Sequence, residues 1–282
     1  MDSYEISFNP RAAVPDFEAY ELERQAGNQQ ALAYRTDADL AYGAHPRRRL
    51  DIYRAQGNTQ GDVHIFFHGG YWRAGDKQSY AYLAKALVDR GITAVVPNYE
   101  LCGPSRFEDV VDSALAAFKW VLENIASYGG SARRITISGH SAGAYLCALL
   151  HATDWHKEGC GDCAILGSIL VSGIYDPAKA IGTSVNQELG FTSGAVAAFD
   201  LSKRPWATSG PSYIVVGQQE PAEWIALSRE YFQNVVQASS PAGRYEPLAG
   251  HNHFSILNEY LPGGRLNREV IHYHQRPSWP EA

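Results

Sequence analysis

The chain has 282 residues, of which 45% are hydrophobic and 19% charged, and its formal net charge is −6. These values indicate a globular chain with a sizeable buried core and exclude a disordered one. The only basic run is the short Arg47-Arg48-Arg49, so nucleic acid is not expected as a partner. The sequence has no stretch of 18 apolar residues and its N-terminus shows no signal-peptide pattern, so we expect no membrane association and a cytoplasmic location.

The predicted elements alternate along the chain. Residues 1–30 are polar and are expected to wrap the surface, partly as helix. Compact apolar or alternating runs predict strands at 47–54, 62–70, 92–100, 133–139, 164–176, 211–218 and 243–250. Helical spacing predicts helices at 77–91, 107–130, 141–153, 223–237 and 253–261. The alternation predicts one α/β domain over 1–282, with a mostly parallel eight-stranded sheet and helices on both faces.

Two segments do not belong to this alternation. Residues 177–208 interrupt it, and such an insertion predicts a small cap over a pocket. The segment "DWHKEGCGDC" contains His156, Cys160 and Cys163, but it lacks a second ligand pair at zinc-site spacing. We therefore interpret it as a surface loop and expect neither a metal nor a cofactor. With four cysteines in the chain, a disulfide framework is not expected.

The segment "GHSAG", residues 139–143, stands between a β-branched run and a helical run. A serine on a tight turn from strand to helix is typical of a nucleophile elbow, and its neighbours two residues away must be small. Ser141 is therefore the predicted nucleophile. The backbone N–H of Ala142, at the start of the helix, is a predicted oxyanion donor. We also place His140 in the substrate pocket.

A second set of oxyanion donors is predicted in "HGGYW", residues 68–72, which follows a buried strand. Its two glycines allow the backbone N–H groups of Gly70 and Tyr71 to approach a substrate oxygen closely. Trp72, in the same loop, is expected to narrow the acyl side of the pocket, and Tyr145 to line it. His68 precedes the serine in sequence and is expected to brace the loop.

The general base is expected after the last strand, where "AGHNHFSIL" offers His251 and His253. We favour His253 because an apolar run follows it directly. The triad acid is expected between the serine and the histidine in chain order. Glu220 follows a strand and a turn and is our first choice, while Glu223 and Asp176 stay open as alternatives.

The motifs "HGGYW", "NYELC", "GHSAGA", "SGIYD", "VGQQEPAEW" and "HFSIL" occur in this order over about residues 60–260. In this pattern the chain resembles the arylformamidase (kynurenine formamidase) branch of the α/β-hydrolases. The resemblance implies the α/β-hydrolase fold and hydrolysis of an N-formyl aryl amine to formate and free amine. It supports Ser141 and His253, whereas the family usually has aspartate where Glu220 stands.

Other functions stay open at this stage. Relatives in the same branch include general carboxylesterases, so a carboxylesterase or amidase for another small acyl compound is the alternative enzyme. A hydrolase-fold binding protein without catalysis is the third class, although such proteins usually lack the serine, histidine or glycines present here. The expected ligand is a small molecule, and the sequence leaves the oligomeric state open, a homodimer included.

Overall fold

The computed structural model describes residues 2–57, 60–160 and 165–275. The strands are β1 Asp37–Ala41, β2 Arg49–Tyr53, β3 Val63–Phe67, β4 Thr93–Pro97, β5 Ile135–His140, β6 Ile165–Val171, β7 Ser212–Gly217 and β8 Arg244–Leu248. They form one sheet in the order β1-β2-β4-β3-β5-β6-β7-β8. Strand β2 is antiparallel to both its neighbours, and the other pairs are parallel. The predicted eight-stranded, mostly parallel sheet is confirmed.

The α-helices are α1 Ser3–Phe8, α2 Pro10–Ala13, α3 Phe17–Leu32, α4 Ala81–Val88, α5 Phe107–Asn124, α6 Ala142–Ala152, α7 Asn186–Leu189, α8 Ser193–Val196, α9 Ala222–Tyr231, α10 Gln237–Ser239 and α11 Arg265–Gln275. Short 3-10 helices lie at Lys77–Tyr80, Ile125–Tyr128, Pro177–Ala180, Ala197–Phe199 and Ser255–Tyr260. A π-helical turn, Phe232–Val236, joins α9 to α10.

Two hydrophobic clusters cover the two faces of the sheet. Side chains alternate along a strand, so Ile65 and Phe67 of β3 enter one cluster and Phe66 enters the other. The first cluster contains the buried faces of α5 and α6, and the second contains those of α4 and α11. Helices therefore pack on both faces, as the alternation predicted.

Three elements differ from the sequence expectations. Strand β1 was not predicted, because it is an edge strand with mostly exposed positions and carries no apolar alternation. The run predicted as a helix at 253–261 is a 3-10 helix over Ser255–Tyr260, which leaves its first residues in a turn. The strand predicted over 164–176 ends at Val171, because Ser172 adopts φ 51° and breaks the extended conformation.

Candidate active site

Ser141 lies in a strained turn between β5 and α6, with φ 55° and ψ −115°. The flanking glycines are required by direct contact. A Cβ on Gly139 would lie 2.2 Å from the carbonyl oxygen of Gly143, and one on Gly143 would lie 2.0 Å from that of Phe67. The strand-turn-helix context predicted for this motif is therefore present, and it holds Ser141 at the carboxyl end of a central strand.

His253 and Glu220 form a buried pair. The Nδ1 atom of His253 lies 2.6 Å from Oε2 of Glu220, and both side chains are almost fully buried. The other oxygen, Oε1, accepts hydrogen bonds from the backbone N–H of Gly217 at 2.8 Å and the hydroxyl of Ser172 at 2.5 Å. A carboxylate only accepts, so Nδ1 of His253 is the donor in this hydrogen bond, and Nε2 is the ring nitrogen left to exchange a proton with a reacting group.

The alternative residues lie elsewhere. Glu223 is exposed in the first turn of α9. Asp176 caps the 3-10 helix Pro177–Ala180, where its side chain accepts from the backbone N–H of Ala178 at 2.9 Å. His251 lies 3.1 Å from Glu259 through Nε2. The structure brings only Glu220, of the three candidate acids, to His253.

Two further side chains hold His253 in place. The ring of Trp224 meets it edge-on with centroids 5.0 Å apart, and its indole N–H donates to the carbonyl of Ser172 at 2.9 Å. The Nε2 of His140 donates to the backbone carbonyl of His253 at 2.8 Å. Burial, with smaller contributions from the nearby charges of His253 and Arg24, holds the pKa of His140 well below its usual range, so this ring is neutral.

Sequence reasoning missed the contribution of Ser172. Its buried hydroxyl donates to the carboxylate of Glu220, and its backbone adopts a left-handed conformation. The motif "SGIYD" was noted only as part of a resemblance. Ser172 directly follows β6, at the sheet edge where Ser141 and Glu220 also lie, whereas the strand predicted over 164–176 placed it inside an extended run and so concealed this role.

The loop after β3 has an unusual backbone. Gly70, Tyr71 and Trp72 all have positive φ, at 119°, 53° and 56°. A Cβ on Gly70 would lie 2.1 Å from the carbonyl oxygen of Ala74, so glycine is required there. Within the described residues, the N–H groups of Gly70 and Tyr71 make no backbone hydrogen bond. The N–H of Ala142 stands at the first turn of α6, where no intrahelical acceptor exists.

His68 braces this loop, as the sequence predicted. Its Nδ1 donates to the carbonyl of Gly69 at 2.7 Å, and the hydroxyl of Tyr99 donates to the carbonyl of His68 at 2.8 Å. Burial lowers the pKa of His68 to about 4, so the ring is neutral near pH 7. These hydrogen bonds hold the backbone of the loop in place where Gly69 and Gly70 begin.

One cavity of about 760 Å³ connects these groups, a size typical of small-molecule sites. Its floor consists of Gly69, Gly70, Tyr71, His140, Ser141 and His253. The predicted pocket residue His140 therefore lines the cavity. Trp72 and Tyr145 do not, which corrects the prediction. They are fully buried behind the floor and pack against each other with ring centroids 5.2 Å apart, because the left-handed loop turns the indole into the core.

The N-terminal segment forms about half of the outer wall of the cavity. The wall includes residues of α2 and α3 and their flanks, from Asn9 to Asn28. From the cap predicted at 177–208, only Val185 lines the cavity. The polar wrap predicted over 1–30 is mostly helical here, and it covers the site more than the insertion does.

Two other expectations concern metals and membranes. Cys160 is a free, half-buried thiol, while Cys163 lies outside the described residues. In the described part of the chain, no cluster of three or more histidine, cysteine or acidic side chains is arranged to hold a metal ion. None of the helices in the same residues is long and apolar enough to cross a membrane.

Comparisons with known proteins agree with this geometry. A family model described as the alpha/beta hydrolase fold matches residues 64–223. The chain is 27% identical to a kynurenine formamidase of Danio rerio over 96% of this chain and 94% of the relative, which confirms the arylformamidase resemblance. A probable isoprenylcysteine alpha-carbonyl methylesterase of Oryza sativa subsp. japonica is 39% identical, over 40% of this chain and 27% of its own length.

Among solved structures, a putative thioesterase from Silicibacter sp. tm1040 superimposes with a TM-score of 0.78. The two chains are 22% identical, and the match covers 96% of this chain and 100% of the other. At this identity the likeness concerns the fold alone. It extends beyond the segment that the family model matches.

Proposed function

The chain belongs to the alpha/beta hydrolase fold family, and from this premise we propose that it is a serine hydrolase that cleaves an aryl formamide to formate and the free amine. The observation that carries the proposal is the hydrogen bond between His253 and the buried Glu220, because His253 lines the same cavity as Ser141 on its strained turn. Nucleophile, base and orienting acid are the three parts that acyl transfer by serine requires.

In the proposed mechanism, the Oγ of Ser141 attacks the formyl carbon while Nε2 of His253 takes its proton. The negative charge on the carbonyl oxygen is stabilised by the N–H groups of Gly70, Tyr71 and Ala142. His253 then donates the proton to the leaving nitrogen, and the C–N bond breaks. Water, activated by the same histidine, hydrolyses the formyl ester on Ser141 and releases formate. Glu220 stabilises the imidazolium that forms in each half-reaction.

Two observations favour a formamide over a larger acyl group. The Danio rerio kynurenine formamidase is similar to this chain over nearly its whole length. Tyr71 lines the cavity beside Ser141, and its hydroxyl donates to the carbonyl of Phe8 at 2.9 Å, which fixes the ring. A fixed aromatic side chain in the wall of the cavity that contains Ser141 limits the space for the acyl group and favours a small one such as formyl.

A carboxylesterase for another small acyl compound is the second candidate. The segment shared with the rice methylesterase is its main support, because it has higher identity than the longer match to the formamidase. The proposed triad and oxyanion donors serve ester and amide hydrolysis equally. The choice between formamidase and carboxylesterase therefore depends on which substrate the enzyme hydrolyses more efficiently.

The two candidates are separated by comparing kcat/KM for N-formylkynurenine with kcat/KM for p-nitrophenyl acetate at pH 7.5. We expect the formamide to be hydrolysed at least as efficiently as the ester, although the ester is intrinsically more reactive. Formanilide, which lacks the amino-acid group, serves as a second formamide. Efficient turnover of the ester with none of either formamide would exclude the formamidase function and leave the esterase.

A further inference from the structure

Arg24 is a buried guanidinium on the wall of the active-site cavity. Its side chain projects from α3 of the N-terminal segment and is only 8% exposed, although it lines the cavity. The other arginine of this segment at the cavity, Arg11, is exposed. A buried charge is costly unless it is paired, so the partners of Arg24 are informative.

The partners of Arg24 are neutral. Its Nε donates to the carbonyl of Tyr20 at 2.9 Å, and Nη2 donates to the carbonyl of Phe254 at 3.0 Å. Its guanidinium carbon lies 5.9 Å from the ring centroid of Tyr82. These two bonds use two of the five N–H donors of an arginine. No carboxylate of the described residues lies within 4.0 Å of this guanidinium, whereas Arg73 on the same cavity pairs with Glu188.

A hydrogen bond joins Arg24 to the loop that carries the proposed base. Phe254, to whose carbonyl Arg24 is bonded, directly follows His253. The positive charge also contributes to the lowered pKa of His140, next to Ser141, after the larger effects of burial and of His253. The nearest carboxylates on the same helix face, Glu18 and Glu21, line the cavity too, but they are exposed and solvent screens them.

We propose that Arg24 binds a carboxylate on the substrate, so that the enzyme prefers acyl compounds that carry an anionic group away from the scissile bond. The planar guanidinium has donors that match the two oxygens of a carboxylate. The inference rests on the proposed function, because it assigns a specificity residue to the same cavity. It assigns the role to a residue of the N-terminal segment, outside the part of the chain that the family model matches.

Binding is measured first, in Ser141→Ala protein, so that the outcome does not depend on turnover. Isothermal titration with anthranilate, an aryl amine with a carboxylate, is compared with titration with aniline. We expect anthranilate to bind more tightly, and Arg24→Gln to weaken its binding by about 10- to 100-fold, the equivalent of one charged hydrogen-bonded contact. Binding of aniline should change by less than about twofold. The proposal would be overturned if the two amines bound equally tightly, or if Arg24→Gln weakened the binding of both by the same factor.

Turnover provides the second readout. In the wild-type background, Arg24→Gln should raise KM for N-formylkynurenine with a small effect on kcat, and should leave KM for formanilide unchanged. Arg24→Lys keeps the charge and should restore part of the loss. Arg11→Gln removes an exposed charge from the same cavity and is the matched control. If Arg24 only anchored α3 to the loop of Phe254, both formamides would lose activity together, mainly in kcat.

These measurements distinguish the failure of this inference from the failure of the proposed function. If no formamide is hydrolysed but anthranilate still binds through Arg24, only the formamidase assignment fails. If formamides are hydrolysed and neither readout depends on Arg24, only the carboxylate site fails. Circular dichroism and thermal unfolding of the Arg24 variants verify that they are folded before either conclusion is drawn.

Discussion

Replacing Ser141 with alanine is expected to lower kcat for an aryl formamide by about a millionfold, the scale seen when a catalytic serine is removed. The variant loses the oxygen that attacks the formyl carbon, so no acyl-enzyme can form. The oxyanion donors and the cavity remain, because alanine keeps the Cβ and the turn between β5 and α6. The measurement is single-turnover hydrolysis of N-formylkynurenine with enzyme in excess.

The fold of this variant provides the control. Ser141 Oγ makes no hydrogen bond that anchors another described element, so the melting temperature of Ser141→Ala should stay close to that of the wild type. A folded variant that still hydrolysed the formamide at near wild-type rates would refute Ser141 as the nucleophile.

Replacing Glu220 with glutamine is expected to lower kcat by about ten-thousandfold, as when the acid of a triad becomes an amide. Glutamine has one acceptor oxygen, whereas Glu220 accepts from Gly217 and Ser172 on one oxygen and from His253 on the other. If the amide oxygen stays with Gly217 and Ser172, the amide nitrogen faces Nδ1 of His253. The ring must then carry its proton on Nε2 and cannot accept one from Ser141.

The matched control is Glu223→Gln, three residues along the chain. Glu223 is exposed in α9, so its loss should change kcat by less than about twofold. Glu220→Asp keeps the charge but shortens the side chain, and its activity should lie between those of the wild type and Glu220→Gln. Steady-state kinetics on N-formylkynurenine measure all three. A large loss with Glu223→Gln and none with Glu220→Gln would contradict the assignment of the acid.

The sheet and the residues around Ser141 were predictable from the sequence because their signals are local. Buried parallel strands are short apolar runs, and the turn at Ser141 requires glycines at fixed spacing. The pairing of Glu220 with His253 was predictable only as a first choice. Local sequence places several acids after strands, and only the folded chain determines which one reaches the imidazole.

The features that sequence reasoning missed depend on tertiary contacts. Trp72 was expected in the pocket, but three consecutive left-handed residues turn its ring into the core, and a sequence pattern does not reveal this backbone path. Arg24 stands in a polar segment with little amphipathic pattern, so its burial against the loop of His253 left no local signal. The cavity wall was expected in residues 177–208 because insertions often cover sites, yet the N-terminal segment supplies about half of the wall and that insertion supplies only Val185.

Labelling with a fluorophosphonate, followed by peptide mapping, tests the central claim that Ser141 is an activated nucleophile in an aryl formamide site. The reagent reacts with a serine whose proton a neighbouring base removes. We predict one label per chain, on Ser141, formed at a rate that N-formylkynurenine slows by competition. Label on another residue, or no label from a preparation that hydrolyses the formamide, would contradict the claim.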